Sequence, residues 1–334
     1  HLSIRRQRQM CIRDRVETSI AFPESCRAFI PHFKGPETTP VKGDLGNCLR
    51  AYLDSASSPL NPRNRGHSLW VYGTLPILAL RTITEAGGIA DFVRVTEAGR
   101  IFSAVLDLTT VLLTFFLAKR LYGHRVGLLA SLFLALSVFS IQSSHFFTVD
   151  TATTLTTLLC VYLAVRISEG DSSWGFFPLL GLAFGVAVSC KVNTAIFALI
   201  IALAGLLRVW HKAARTKEVW QAITETAAGL ALAAVISIAF FRLAQPDAFT
   251  GPGLLDVKLD PRYLDNLETL RGLVSGKIDY PPSHQWTNRT SLWFPWKNMV
   301  LWGMGLPLGL AAWAGVALAG WQLLRKRDLR PLIP

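Results

Sequence analysis

Long apolar runs alternate with short polar links over most of the chain's 334 residues. Seven runs reach or approach the roughly 20 apolar residues that cross a bilayer as a helix: 101–118, 126–143, 151–167, 175–190, 193–209, 222–242 and 299–322. They scarcely carry the polar stripe that a helix of a soluble bundle presents to water. The pattern predicts an all-α fold, a polytopic bundle of transmembrane helices. Only Lys191 and Val192 separate the fourth run from the fifth, which predicts a tight helical hairpin. A shorter run over 69–83 is interrupted by Gly73, Pro76 and Arg81. It reads as an interfacial helix lying along the membrane, with a buried loop helix as the plainer alternative.

The spans divide the chain. Residues 16–98 form an outer-face segment containing the interfacial helix, 99–242 a six-span core, 243–298 a long outer loop, and 299–334 a seventh span with a basic end. The outer loop is rich in turn formers and aromatics, and its length is too great for an idle connector. Residues 1–15 stand apart. Met10-Cys11-Ile12-Arg13-Asp14-Arg15 resembles translated adapter read-through, so this stretch is expected to be non-native, a basic cytoplasmic tail being the alternative. Another span is expected beyond Pro334, and the chain is expected to be a fragment.

Charge turns the pattern into a topology. Lys and Arg number 34 against 22 Asp and Glu, while only 17% of residues are charged, below the roughly 25% of a soluble domain. The cations fall in alternate links: Lys119, Arg120 and Arg125; Arg166; Arg208, Lys212, Arg215 and Lys217; and Arg325, Lys326, Arg327 and Arg330. By the positive-inside rule these links are cytoplasmic. The links holding His145–Asp150, Lys191 and 242–298 then face outward. A scattered basic excess of this kind argues against nucleic-acid binding, which needs a clustered patch. Five cysteines without CxxC spacing argue against a disulfide framework or a zinc site. Walker A, dinucleotide, HExxH and GxSxG motifs are absent from the sequence.

The chemically capable residues collect on the outer side. Asp150 stands where an outer link enters the third span, flanked by Gln142 and His145. Helix capping would explain an Asp there, yet ionisable groups at a membrane boundary are also functional candidates. Lys191 is a cation on the side where the rule disfavours one. It either snorkels to the interface or contacts a lipid phosphate as a point charge. Arg100 precedes the first span and is suited to the same anion. Asp107 lies within that span and reads as structural, protonated or paired with a basic neighbour. In the outer loop, His284 and Trp286 suit acceptor or sugar contact, although a surface histidine with no role is equally ordinary. Asn288-Arg289-Thr290 forms a glycosylation sequon, a tripeptide frequent by chance.

Three blocks carry a family resemblance: Tyr72-Gly73-Thr74-Leu75-Pro76 with Gly99-Arg100 and Ala118–Gly123; Gly127–Ala130 leading to Ser144-His145-Phe146 and Thr148-Val149-Asp150; and Gly181 to Lys191. Together they resemble the polyprenyl-phosphate-dependent GT-C glycosyltransferases, in particular the bacterial protein-mannosyltransferase and aminoarabinose-transferase group, family 39 and relatives. The resemblance covers about residues 47–325. It implies a polyprenyl-phosphate sugar donor, an acceptor that attacks the anomeric carbon with inversion, and a site on the outer face of a bacterial inner or plasma membrane. It implies that Lys191 and Arg100 hold the donor phosphate. Asp150 then matches the group's second acidic position, which assists the base, positions the acceptor or binds a metal in some relatives. No cofactor follows from the residues themselves, and a divalent metal enters only through those relatives. The principal Asp-Glu pair of the first outer loop has no match here. Glu24, preceding the interfacial helix, is the nearest substitute, with Asp44 behind it. The acceptor is undefined: protein, lipid or glycan. The competing readings are a membrane transporter or flippase, and a non-catalytic protein that binds lipid-linked sugars.

Overall fold

The computed structural model describes residues 45–326 apart from 57, 59–60, 66–69, 71, 90–91, 171–173, 217, 276, 279–288 and 291. Among the described residues the fold is all-α, with a single isolated bridge between Phe249 and Leu259. In chain order the helices are α1 (Leu45–Leu53), α2 (Leu75–Ala86), α3 (Phe92–Tyr122), α4 (His124–Ala135), α5 (Val138–Ser144), α6 (Val149–Ser168), α7 (Phe176–Cys190), α8 (Ala198–Thr216), α9 (Val219–Ala244), α10 (Pro261–Ser275), α11 (Trp293–Asn298) and α12 (Leu306–Lys326). A 3₁₀ segment, Val192–Phe197, precedes α8, and a π-helical turn, Met299–Gly303, follows α11.

Among the described residues, five helices are long and apolar enough to cross a membrane: α3, α6, α8 with its 3₁₀ lead, α9 and α12. The run expected over 126–143 is broken. Helices α4 and α5 meet at 61°, so that they count as one further span only if taken together. The run at 175–190 becomes α7, apolar but only 15 residues long. In the last run, helical winding changes at the π turn and at Gly305, whose φ of 84° only glycine adopts readily, before α12 begins. The expected interfacial helix begins later than the apolar run: Pro76 sits in the first turn of α2, where its missing amide costs nothing. Arg81, which interrupted the pattern, is buried and donates to Glu85 one turn on at 2.6 Å.

The chain divides into two compact units, residues 1–98 with 241–285 and residues 99–240 with 286–334. In the second unit α6 is the central helix, half buried along its length and packed on both α7 and α8. Leu117 and Leu121 of α3 join Val161, Ala164 and Val165 of α6 and Ala204 of α8 in one buried cluster. Cys160, Leu163 and Ile167 join Phe177, Leu180, Ala183 and Ala187 of α7 in another. Lipid offers no hydrophobic drive for helix association, so small residues that permit close backbone approach carry it. Gly181 and Gly185 on α7 serve this purpose against Ala233 and Ser237 of α9. A Cβ at Gly181 would fall 2.3 Å from the Ala233 carbonyl oxygen, and one at Gly185 2.9 Å from that of Ser237.

In the first unit, polar groups organise the fold. The Arg242 guanidinium is fully buried and lies over the Phe249 ring. Its Nη2 donates to the carbonyls of Leu53, Gly251 and Gly253 at 3.1, 2.7 and 3.0 Å, and its Nη1 to Leu53 at 3.2 Å. Thr74 binds Gln245 and the Ala244 carbonyl, and Asn266 pairs with both backbone groups of Trp70. Asp260 is buried and accepts from Ser55 and from the Arg262 backbone and side chain. Burial alone would raise its carboxyl, but these hydrogen bonds outweigh burial and the net shift is downward.

Two outcomes are expected. Gly181→Leu forces backbone apart from backbone and is expected to cost on the order of 1–3 kcal/mol, read as a lowered thermal midpoint in detergent, whereas Leu182→Ala on the exposed face is expected to change it little. A carboxyl lowered in the folded state stabilises fully above its unfolded value, and that contribution is lost as pH falls through the folded one. Thermal stability of the wild type is therefore expected to fall on acidification below the ordinary carboxylate range, more steeply than that of Asp260→Asn.

Candidate functional site

The third span starts at a clear boundary. Thr148 has extended backbone (φ −133°, ψ 156°) and occupies the cap position of α6, so Asp150 lies inside the first helical turn instead of at the cap. There the carboxylate is favoured by the exposed amides of the helix end. Its sequence partner is distant: the Lys191 ammonium donates to Asp150 Oδ1 at 3.1 Å. Lys191 reaches it from an extended residue (φ −158°, ψ 115°) that ends α7 and opens the 3₁₀ segment. The hairpin turn thus carries a cation straight to the first turn of the neighbouring span. Both side chains are partly exposed, Lys191 at 31% and Asp150 at 40%. They form a solvent-reachable ion pair.

Around the pair the structure separates the expected residues. His145 closes α5: its amide donates to Gln142, and its ring Nδ1 lies 2.6 Å from the Ile141 carbonyl. Gln142 and His145 are both exposed on this short arm, and the chain runs from His145 into α6 through Phe147, whose ring packs at 6.2 Å from Phe102 of α3. Arg100 is exposed on α3 and has no ion-pair partner among the described residues. Glu24, Asp44, His284, Trp286 and Asn288 lie outside the described residues.

Asp107 is paired, and the structure identifies the partner. Its partner is a hydroxyl, Ser140 of α5, which donates to Oδ1 at 2.6 Å, and not a basic group. Neither this bond nor the Asp150–Lys191 pair was readable from spacing, since 33 and 41 residues separate the partners. The available signal for the pair was chemical: a lysine and an aspartate of opposite charge, each singled out at the boundary of an apolar run. Among the described residues, no group of three His, Cys, Asp or Glu side chains is placed to hold a metal ion.

These features define an integral membrane protein of all-α architecture with a charged pair at the ends of two apolar helices. Residues 89–244, just under half of the chain, match the family model for dolichyl-phosphate-mannose-protein mannosyltransferases. The matched window holds Arg100, Gln142, His145, Asp150 and Lys191. Among solved structures, that of ArnT from Cupriavidus metallidurans in the apo state is similar, with 18% identity and a TM-score of 0.47 over 79% of this chain and 42% of that one. The chain thus spans less than half the length of that protein. No curated protein matches the chain.

Partly exposed ion pairs contribute little to stability because water screens them. Double-mutant cycles with Asp150→Asn and Lys191→Met, read by thermal denaturation in detergent, are expected to give a coupling of no more than about 1 kcal/mol. A much larger coupling would make the pair a structural staple and remove the reason to place it in a site.

Proposed function

We propose that the protein is a membrane glycosyltransferase that moves a sugar from a polyprenyl-phosphate donor to an acceptor on the non-cytoplasmic face, with inversion. The observation that carries this reading is the Asp150–Lys191 pair inside the matched window. Transfer forms a bond from the acceptor heteroatom to the anomeric carbon and breaks the bond from that carbon to the phosphate oxygen. The leaving group is then polyprenyl phosphate, whose negative charge needs a fixed cation. The acceptor must lose a proton, which a carboxylate can take.

The resting pair stores both functions in one contact. A donor phosphate competes with Asp150 for the Lys191 ammonium, and each oxygen it wins leaves the carboxylate freer to act as a base or to face the developing positive charge at the sugar. Arg100, exposed on α3, is the second cation assigned to the phosphate. Gln142 and His145 on α5 are assigned to the sugar or acceptor, with His284 and Trp286 of the outer loop. Glu24 is assigned as the second acidic group. The acceptor is a protein, lipid or glycan, and the setting is a bacterial inner or plasma membrane with the site facing outward.

One observation favours transport of a lipid-linked or small solute. The α4–α5 break is the kind of discontinuous span that transporters use to build binding sites.

The test is sugar transfer by the protein reconstituted in vesicles with a panel of labelled polyprenyl-phosphate sugars. Asp150→Asn and Lys191→Met are each expected to lower turnover by about a hundredfold or more, with folding intact. Lys191→Arg is expected to retain part of it. Full activity in Asp150→Asn would remove the carboxylate from the mechanism, and label that crosses the vesicle wall without transfer would establish transport instead.

A further inference from the structure

We propose that Asp107 is a positioning residue for this site: through Ser140 it fixes the arm α5, and with it Gln142, His145 and the approach to Asp150. The inference rests on the transferase reading of that site. Asp107 stands near the midpoint of α3, where a carboxylate is costly and an apolar residue would pack at no such penalty. Its contact is specific. Oδ1 accepts the Ser140 hydroxyl at 2.6 Å, and Ser140 lies at the centre of the seven-residue arm.

The arm needs such a tie. It leaves α4 at 61°, and a broken helix in hydrocarbon persists only where its polar groups find partners. At the break, the amides of Leu136 and Ser137 fold back onto Leu132 and Leu134. The Ser137 hydroxyl reaches the Gly303 carbonyl, at 3.4 Å, on the π-helical turn. Ser140 on Asp107 is the second tie, and Phe147 against Phe102 of the same α3 helix is a third beyond the arm. Seven residues make fewer than two turns of intrahelical bonds, too few to hold an orientation alone. The directional Ser140–Asp107 bond sets the rotation of the whole arm. Because the arm runs through His145–Thr148 into the first turn of α6, which holds Asp150, that rotation also decides how Gln142 and His145 are presented.

A tie requires an acceptor oxygen and not a charge, which separates positioning from chemistry at Asp107. Three variants, Asp107→Asn, Asp107→Ala and Ser140→Ala, are compared in nanodiscs by hydrogen exchange of amides 138–148 and by transfer from polyprenyl-phosphate sugars. Exchange in this segment is expected to quicken at least about tenfold in Asp107→Ala and Ser140→Ala and to stay near wild type in Asp107→Asn. Transfer is expected to follow it: kcat/KM falls about 10- to 100-fold in the two alanine variants, stays within about threefold in Asp107→Asn, and is no lower in the double alanine variant than in either single one. Unchanged exchange in folded Ser140→Ala, or equal loss in Asp107→Asn and Asp107→Ala, overturns the proposal. If the wild type transfers no sugar while the exchange pattern holds, the transferase reading fails and the tie between Asp107 and the arm stands.

Discussion

Hydrocarbon cannot hydrogen-bond an amide, and that constraint governs every irregularity in this chain. Regular spans satisfy it internally, and each departure carries its own polar partner. The α4–α5 break is answered by Ser137 on Gly303 and Ser140 on Asp107. Where α7 gives way to a 3₁₀ segment, Lys191 turns back to Asp150. In the last turn of α9, Arg242 gathers the carbonyls of Leu53, Gly251 and Gly253. Other buried polar side chains lie within the helices, Ser103 and Thr110 on α3 and Thr226 and Ser237 on α9 among them.

Close packing supplies what lipid withholds. Gly181 and Gly185 bring α7 against Ala233 and Ser237 of α9, while α6 packs on both α7 and α8. With the backbones this close, the end of α7 is fixed in three dimensions. That is why an exposed lysine at that end meets a chosen carboxylate instead of sampling the interface. The ion pair is a by-product of two rigid helix ends, the kind of support that chemistry dependent on placement requires.

The all-helical class was legible because apolar runs of span length leave a chain no other fold. The boundaries were less so. The largely apolar run over 126–143 includes Ser131, Ser137, Ser140, Gln142 and Ser143, yet nothing in its periodicity marks the bend between Ala135 and Val138, which is held by hydroxyl contacts to residues far along the chain. The late start of α2 was readable in Pro76. Asp150 and Lys191 were singled out separately, one as an acid at a boundary and one as a cation on the disfavoured side, but their contact is a product of tertiary packing. Asp107 reads from its depth as structural, protonated or paired, and the identity of its partner, the Ser140 hydroxyl 33 residues on, is again a product of tertiary packing.

The brevity of α7 has a consequence for the surrounding bilayer. At 1.5 Å per residue its 15 residues cover about 22 Å, against a hydrocarbon thickness of about 30 Å. Hydrophobic mismatch of this kind is relieved by thinning the adjacent leaflet. Leu179 and Leu182, exposed on α7, are the residues that lipid tails would follow inward. A bilayer thinned to match α7 would bring its phosphate layer closer to the level of Lys191, at which the helix ends.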